Sequence, residues 1–178
     1  MDIKQTLSKD SSREVALNVA TFAGISDENF AQVFEISKLS PSPINWRGIR
    51  ALYVLAETSP PSGRFLFPEF ITELKNSKNN SYTRSLLKLI SYHIVVEHEE
   101  YLSYLLDKCF SLLTSSTTEV AIKLYALDIL FKITEIEKEL KPELAIVLED
   151  ILVQESRASL KGFGKKILKK LHKQLKQY

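Results

Sequence analysis

Three histidines, His93, His98 and His172, and one cysteine, Cys109, are the side chains here best suited to metal ligation or nucleophilic attack. His93 and His98 stand five residues apart, whereas two ligands on one helical face need a spacing of three or four. The acids around His98, namely Glu97, Glu99 and Glu100, fit a charged turn between helices more simply than a metal site. Cys109 lies among Leu105, Leu106, Phe110 and Leu113, a setting in which a thiol is an inert core group. The sequence has no Gly-rich phosphate loop, no Gly-x-Ser-x-Gly elbow and no paired cysteines. Gly162-Phe163-Gly164 lacks both a preceding strand and a third glycine, so it is no dinucleotide fingerprint. These residues predict no catalytic centre, no metal and no cofactor.

Positive charge is the remaining chemistry. Arg47, Arg50, Arg84, Lys88, Lys123, Arg157 and Lys161 all fall early in alternate predicted helices, where they would form a ladder along one face. Such a ladder could track phosphates. The simpler reading, which we prefer, pairs each with an acid of the adjacent hairpin. The segment from Arg157 to Tyr178 holds one Arg, seven Lys and no acid, a charge of +8. With a net charge of +2 for the chain, residues 1–156 carry −6. Leu160, Phe163, Ile167, Leu168, Leu171 and Leu175 follow helical spacing, while Lys161, Lys165, Lys166, Lys169, Lys170, Lys173 and Lys176 fill the other side. This cationic amphipathic helix is a form that can lie on anionic membranes or meet acidic surfaces; the reading we prefer is a capping role, leucines inward and lysines in water. Gly162 and Gly164 each weaken it by about 1 kcal/mol relative to alanine.

The elements that must position these residues are helices. A chain of 178 residues with 44% hydrophobic and 26% charged residues suits a soluble globular protein with a sound core. Only 5 Gly and 6 Pro interrupt it, which favours long helices. Ser11-Ser12-Arg13-Glu14 reads as a capping box, opening a helix to Phe22 that Gly24 would end in a left-handed cap. Ser26-Asp27-Glu28 opens the second, with a stripe of Phe30, Val33, Phe34 and Leu39, and Ser40-Pro41-Ser42-Pro43 stops it. A third spans Ile44 to Glu57, and a fourth starts near Pro68 and carries Phe70, Ile71 and Leu74. After a loop from Asn76 to Ser81, a fifth spans Tyr82 to Val96 and a sixth Glu99 to Leu113. Ser116-Thr117-Thr118-Glu119 is a second capping box, for a seventh helix to Thr134. Pro142 starts the eighth, which ends near Gln154, and Ser156 caps a ninth that nears the C-terminus.

One helical phrase recurs. Ile49-Arg50-Ala51-Leu52-Tyr53-Val54-Leu55 returns as Leu124-Tyr125-Ala126-Leu127-Asp128-Ile129-Leu130, with a weaker copy, Leu86-Leu87-Lys88-Leu89-Ile90-Ser91-Tyr92, between them. Ile49, Leu86 and Leu124 are separated by 37 and 38 residues, a period of stacked helical hairpins that share one core. Trp46-Arg47-Gly48-Ile49-Arg50-Ala51-Leu52 and Val120-Ala121-Ile122-Lys123-Leu124-Tyr125-Ala126-Leu127 carry a basic residue, then alanine and leucine, early in the second helix of a pair. In this the chain resembles HEAT and armadillo-type repeat proteins over roughly residues 12 to 170, without their regular proline in each first helix. The resemblance implies an all-α superhelix of about four hairpins and roughly nine helices. Residues 1–178 would form a single domain, with 1–10 a flexible N-terminus and 157–178 a basic capping helix. An irregular helical bundle is the alternative.

The resemblance implies a non-enzymatic scaffold that holds a macromolecule, foremost a protein, on the face of the third, fifth, seventh and ninth helices. Arg47, Arg50, Arg84, Lys88, Lys123, Arg157, Lys161 and Lys165 are the expected contacts. Nucleic acid is the second reading, since HEAT-like DNA glycosylases hold DNA in a comparable groove. Enzymatic activity is a third. Short helical proteins of this kind also carry the label adenylosuccinate lyase, but that superfamily's Met-Pro-x-Lys-x-Asn segment is missing and the only methionine is Met1. The aromatics Trp46, Tyr53, Tyr82, Tyr92, Tyr101, Tyr104 and Tyr125 fit either inter-repeat packing or a binding hot spot. The start has no apolar run of signal-peptide length and no stretch of 18 apolar residues occurs. The expectation is a cytoplasmic, bacterial-type protein whose partner is not a membrane surface.

Overall fold

All nine predicted helices form, and a tenth precedes them. The computed structural model describes residues 1–95 and 99–176. Its helices are α1 (Ile3–Lys9), α2 (Arg13–Ala23), α3 (Asp27–Leu39), α4 (Ile44–Thr58) and α5 (Phe67–Asn76), followed by α6 (Asn80–His93), α7 (Glu99–Thr114), α8 (Val120–Ile136), α9 (Lys141–Gln154) and α10 (Ala158–Leu175). No strand occurs among the described residues.

Helix α1 occupies most of the segment that the sequence reading left as a flexible terminus. Asp2 caps it, accepting from the Gln5 amide at 2.9 Å, and Ile3 and Leu7, one turn apart, are buried. Seven residues are too few to stay helical alone in water. The apolar pair holds α1 against α2 and α4.

Several element ends also differ from the sequence reading. Ser12, not Ser11, caps α2, its hydroxyl accepting from the Val15 amide at 3.2 Å. Gly24 closes that helix with φ −75°, in the right-handed region rather than the left-handed one. The second capping box does not form. Glu119 is the N-cap of α8, with no side-chain cap bond, while the Thr117 and Ser115 hydroxyls bond each other at 3.0 Å. At α10 the cap position falls to Arg157 rather than Ser156. Ser37 replaces Leu39 on the buried stripe of α3, because 30, 33, 34 and 37 keep helical spacing and 39 does not. Leu39 is 74% exposed. Helix α6 stops at His93; Ile94 and Val95 are not helical, and Val96 lies outside the described residues.

The chain divides into two compact units, residues 1–93 and 94–178. In the first, α2 packs on α4 and α4 on α6, a layer backed by α1, α3 and α5. In the second, α7 pairs with α8 and α9 with α10, and α8 touches both α9 and α10. Counting α1 with α2, consecutive helices make three pairs in the first unit and two in the second.

Burial shows a tighter repeat than the phrase did. Val19, Ala56, His93, Leu130 and Ile167, each 37 residues after the one before, are all buried. The expected offset of 38 for the third copy is therefore one residue too long. Ile49 and Leu86 are fully buried, but Leu124 is only half-buried, and Lys123 takes the equivalent inward place.

His93 is the polar member of that series, standing where other repeats carry Val, Ala, Leu or Ile. Its Nδ1 lies 2.8 Å from the Leu89 carbonyl and its Nε2 2.8 Å from the Ser62 carbonyl, which ties α6 to the segment between α4 and α5. A neutral ring has one N–H, so only one of these is a donated hydrogen bond. Its ring also meets Phe70 edge-on at 5.4 Å. Burial holds its pKa below the ordinary histidine value, against the two carbonyls, which pull the other way. The unfolded chain therefore takes up a proton first as pH falls. Stability attributable to His93 is full above about pH 6.5 and declines below it, by at most about 1.4 kcal/mol per pH unit. Urea midpoints at pH 7.5 and 5.5, read from the fluorescence of the single tryptophan, Trp46, should show this loss. His93→Leu should flatten that part of the pH dependence; an identical slope in the variant would contradict it.

Gly63 fixes the same segment. Its φ of +81° is left-handed, and a Cβ there would run into the Phe30 ring.

Candidate functional site

Several of the basic candidates bond within the chain. The Arg47 guanidinium donates to the carbonyls of Leu7 at 2.8 Å and Ser8 at 3.3 Å, and Arg50 donates to the carbonyl of Ser11. These carbonyls belong to the last turn of α1 and the link to α2, where helical partners run out. Arg47 and Arg50 are thus the clasp of α1, and the space between them and residues 7–12 is closed. The adjoining Asp10 has its carboxyl lowered chiefly by hydrogen bonding to Ser12.

In the second unit, two more candidates converge on an acid that sequence reasoning passed over. Glu155, nearly buried after α9, accepts from the Arg157 amide at 2.8 Å and from Arg157 Nε at 3.1 Å. The amide bond of Arg157 is the largest influence holding its carboxyl below the usual range, with Lys123 a smaller one. Lys123 itself is buried. The sequence signal was Glu155-Ser156-Arg157, an acid two residues ahead of a base at a helix boundary.

Arg84 and Lys88, one turn apart on α6, are half-buried on the side that carries Tyr92. Lys88 Nζ stands 4.6 Å from the Tyr92 ring, and the Tyr92 hydroxyl donates to Glu57 of α4 at 3.3 Å. Arg157 forms an ion pair with an acid, Glu155, two residues away in its own junction. At Arg47 and Arg50 backbone carbonyls, and at Arg157 a junction carboxylate, are the partners in place of an acid of the adjacent hairpin.

The concavity on the first unit lies between α2 and α4. Ala16 and Ala20, with Gly24 a further turn on, turn small side chains toward Val54 and Leu55. The resulting groove of about 320 Å³ has an apolar floor, with Arg13 and Glu57 among its lining residues. Leu17 and Ile25 line it while 43% and 71% exposed. Sequence reasoning missed this place; the signal was Ala16, Ala20 and Gly24 at four-residue spacing beside unburied Leu17 and Ile25.

On the second unit, α10 turns Leu160, Gly164, Ile167 and Leu171 inward. Lys165, Lys169, His172, Lys173 and Lys176 rim a shallow depression of about 510 Å³, with Leu168 in its floor. Lys161 is half-buried and Lys165 exposed. Cys109 is buried, and burial pushes its thiol well above the ordinary range, which leaves it unreactive. The proposed turn at Glu97 and His98 lies outside the described residues. Among the described residues no three His, Cys, Asp or Glu side chains gather as metal ligands, and no helix is long and apolar enough to cross a membrane.

Comparison with known proteins agrees with this architecture. The HEAT repeat domain family matches residues 3–171, which includes α1 and nearly all of α10. No curated protein and no solved structure matches the chain. All-helical, built of packed consecutive pairs and matched over almost its whole length, the chain belongs to the HEAT repeat domain family.

Proposed function

We propose that this chain is a non-enzymatic scaffold that holds a protein partner in the groove between α2 and α4. HEAT repeat domains are helical scaffolds that commonly mediate protein interactions. The observation that carries the proposal is the groove itself: about 320 Å³, floored by small apolar side chains, with Leu17 and Ile25 left in water beside it. Exposed apolar side chains around a concave floor are the usual mark of an interaction site. The partner is an amphipathic helix that inserts an apolar side chain over Ala20 and Val54, with an acid near Arg13 and a base near Glu57. Arg47 and Arg50 do not contribute, since their guanidinium groups hold α1. The setting is the cytoplasm, where the single thiol of Cys109 needs no pairing.

Capture of the partner by the tagged protein, followed by titration, tests this reading. Leu17→Asp and Ile25→Asp, both at exposed sites, should leave the fold intact by circular dichroism and weaken the partner about 30-fold, the effect of one hot-spot side chain. Equal affinity for the variants and the parent would move the binding face elsewhere.

A further inference from the structure

The outward face of α10 holds a row of cations without partners. Lys165, Lys169, Lys173 and Lys176 recur every three or four residues over 11 positions, which is about 17 Å of helix. None of the four side chains has a hydrogen bond, ion pair or ring contact among the described residues, and all four residues are exposed. Both edges of the row are tied down. His172 meets Glu149 of α9 at 2.9 Å, and Lys170 Nζ stands 5.3 Å from the Phe131 ring of α8. The opposite flank, Leu160, Ile167 and Leu171, is buried. The lysines are therefore held outward before any ligand arrives.

We propose that this face of α10 binds the phosphate backbone of double-stranded nucleic acid without reading its sequence. Charge is the first ground. A duplex presents one negative charge per about 1.7 Å of axis, so a 17 Å row of cations meets a uniform line of phosphates. Lysine is the second. Its ammonium is a compact point charge that suits single phosphate oxygens, and the bidentate fork that reads a guanine edge is missing from the row. The third ground excludes the alternatives. A bilayer would need the apolar flank, which is already used inside the protein. A single strand would need aromatic side chains for its unstacked bases, and the described residues of this face carry none. This surface is separate from the groove of the first unit, so either proposal can fail without the other.

Fluorescence anisotropy of the full chain with a labelled 20-base-pair duplex of random sequence tests it. Side arms use a single strand of equal length, phosphatidylserine vesicles and polyglutamate. Four phosphate contacts predict a slope of log affinity against log salt near −3.6, about −0.9 per contact. Lys165→Gln/Lys169→Gln/Lys173→Gln should reduce that slope by about 2.7 and lower affinity at least tenfold at 50 mM salt. Lys4→Gln/Lys9→Gln/Lys78→Gln, an equal charge change in the first unit, should alter neither. Undiminished duplex binding by the α10 variant would overturn the proposal. So would binding to the single strand, vesicles or polyglutamate that equals or exceeds binding to the duplex.

Discussion

Phe70→Ala should lower the stability of the first unit by about 3–5 kcal/mol, the range for removing a fully buried aromatic ring. Phe70 sits at the meeting point of three other rings. Its centroid lies 5.1 Å from Phe34, 6.3 Å from Phe30 and 5.4 Å from His93, and no part of it reaches solvent. Alanine removes the contacts of all three neighbours at once, and Gly63 and Ser62 are already placed against Phe30 and His93. The segment between α4 and α5 cannot close the space without breaking those contacts. Against a typical total of about 5–15 kcal/mol, such a loss is a large share of the fold's stability. Trp46, in α4, reports on this unit alone, so urea titration followed by its fluorescence isolates the effect. Phe70→Leu, which keeps much of the buried carbon, should lose about half as much. A shift below 1 kcal/mol for the alanine variant would mean that the ring cluster does not hold the unit together.

The same substitution should have opposite signs at two helical glycines. Helix propensity alone makes Gly→Ala favourable by about 1 kcal/mol. Gly162 faces open space on α10, so Gly162→Ala should stabilise by that amount. At Gly48 the new Cβ would overlap the Ser37 hydroxyl oxygen and stand 3.1 Å from Ser37 Cβ, because α3 and α4 approach closely there. Gly48→Ala should therefore destabilise by about 2–3 kcal/mol, as overpacking does. The Ser37 hydroxyl donates only to the carbonyl of Val33 in its own helix, at 2.7 Å, so Ser37→Ala by itself should cost little. Combined with Gly48→Ala it should recover most of the loss, leaving a coupling above 1 kcal/mol in the double-mutant cycle. Strict additivity of the two substitutions would place the clash somewhere else.

Nine helices were legible because their apolar residues keep a 3.6-residue period and because proline and polar clusters separate them. Helix α1 was not, since Ile3 and Leu7 make only one turn of pattern and their meaning lies in α2 and α4. The 37-residue register was blurred by Leu124, which imitates Leu86 in type but not in burial. Caps were misplaced by one residue at Ser12 and Arg157, because several hydroxyls compete at each boundary and backbone geometry selects among them. The roles of Arg47 and Arg50 were out of reach in principle: their acceptors are carbonyls about 40 residues away, and every residue has a carbonyl. The groove depends on how near two helices lie, a distance that small residues permit but do not dictate. The lysine face of α10 was fully legible, since charge needs no partner in the chain to be seen.

Within the first unit each helix rests on others at most three places away along the chain. A growing polypeptide can then settle in the order in which it is synthesised: α1 and α2 wait for α4, and α4 waits for α6. The clasp from Arg47 and Arg50 arrives only when α4 emerges, about 40 residues after the carbonyls that it secures. Until that moment the amino-terminal turn has only α2 and α3 to rest on, and ribosome-bound chains cut short before α4 would leave Ile3 and Leu7 partly open to chaperones and proteases.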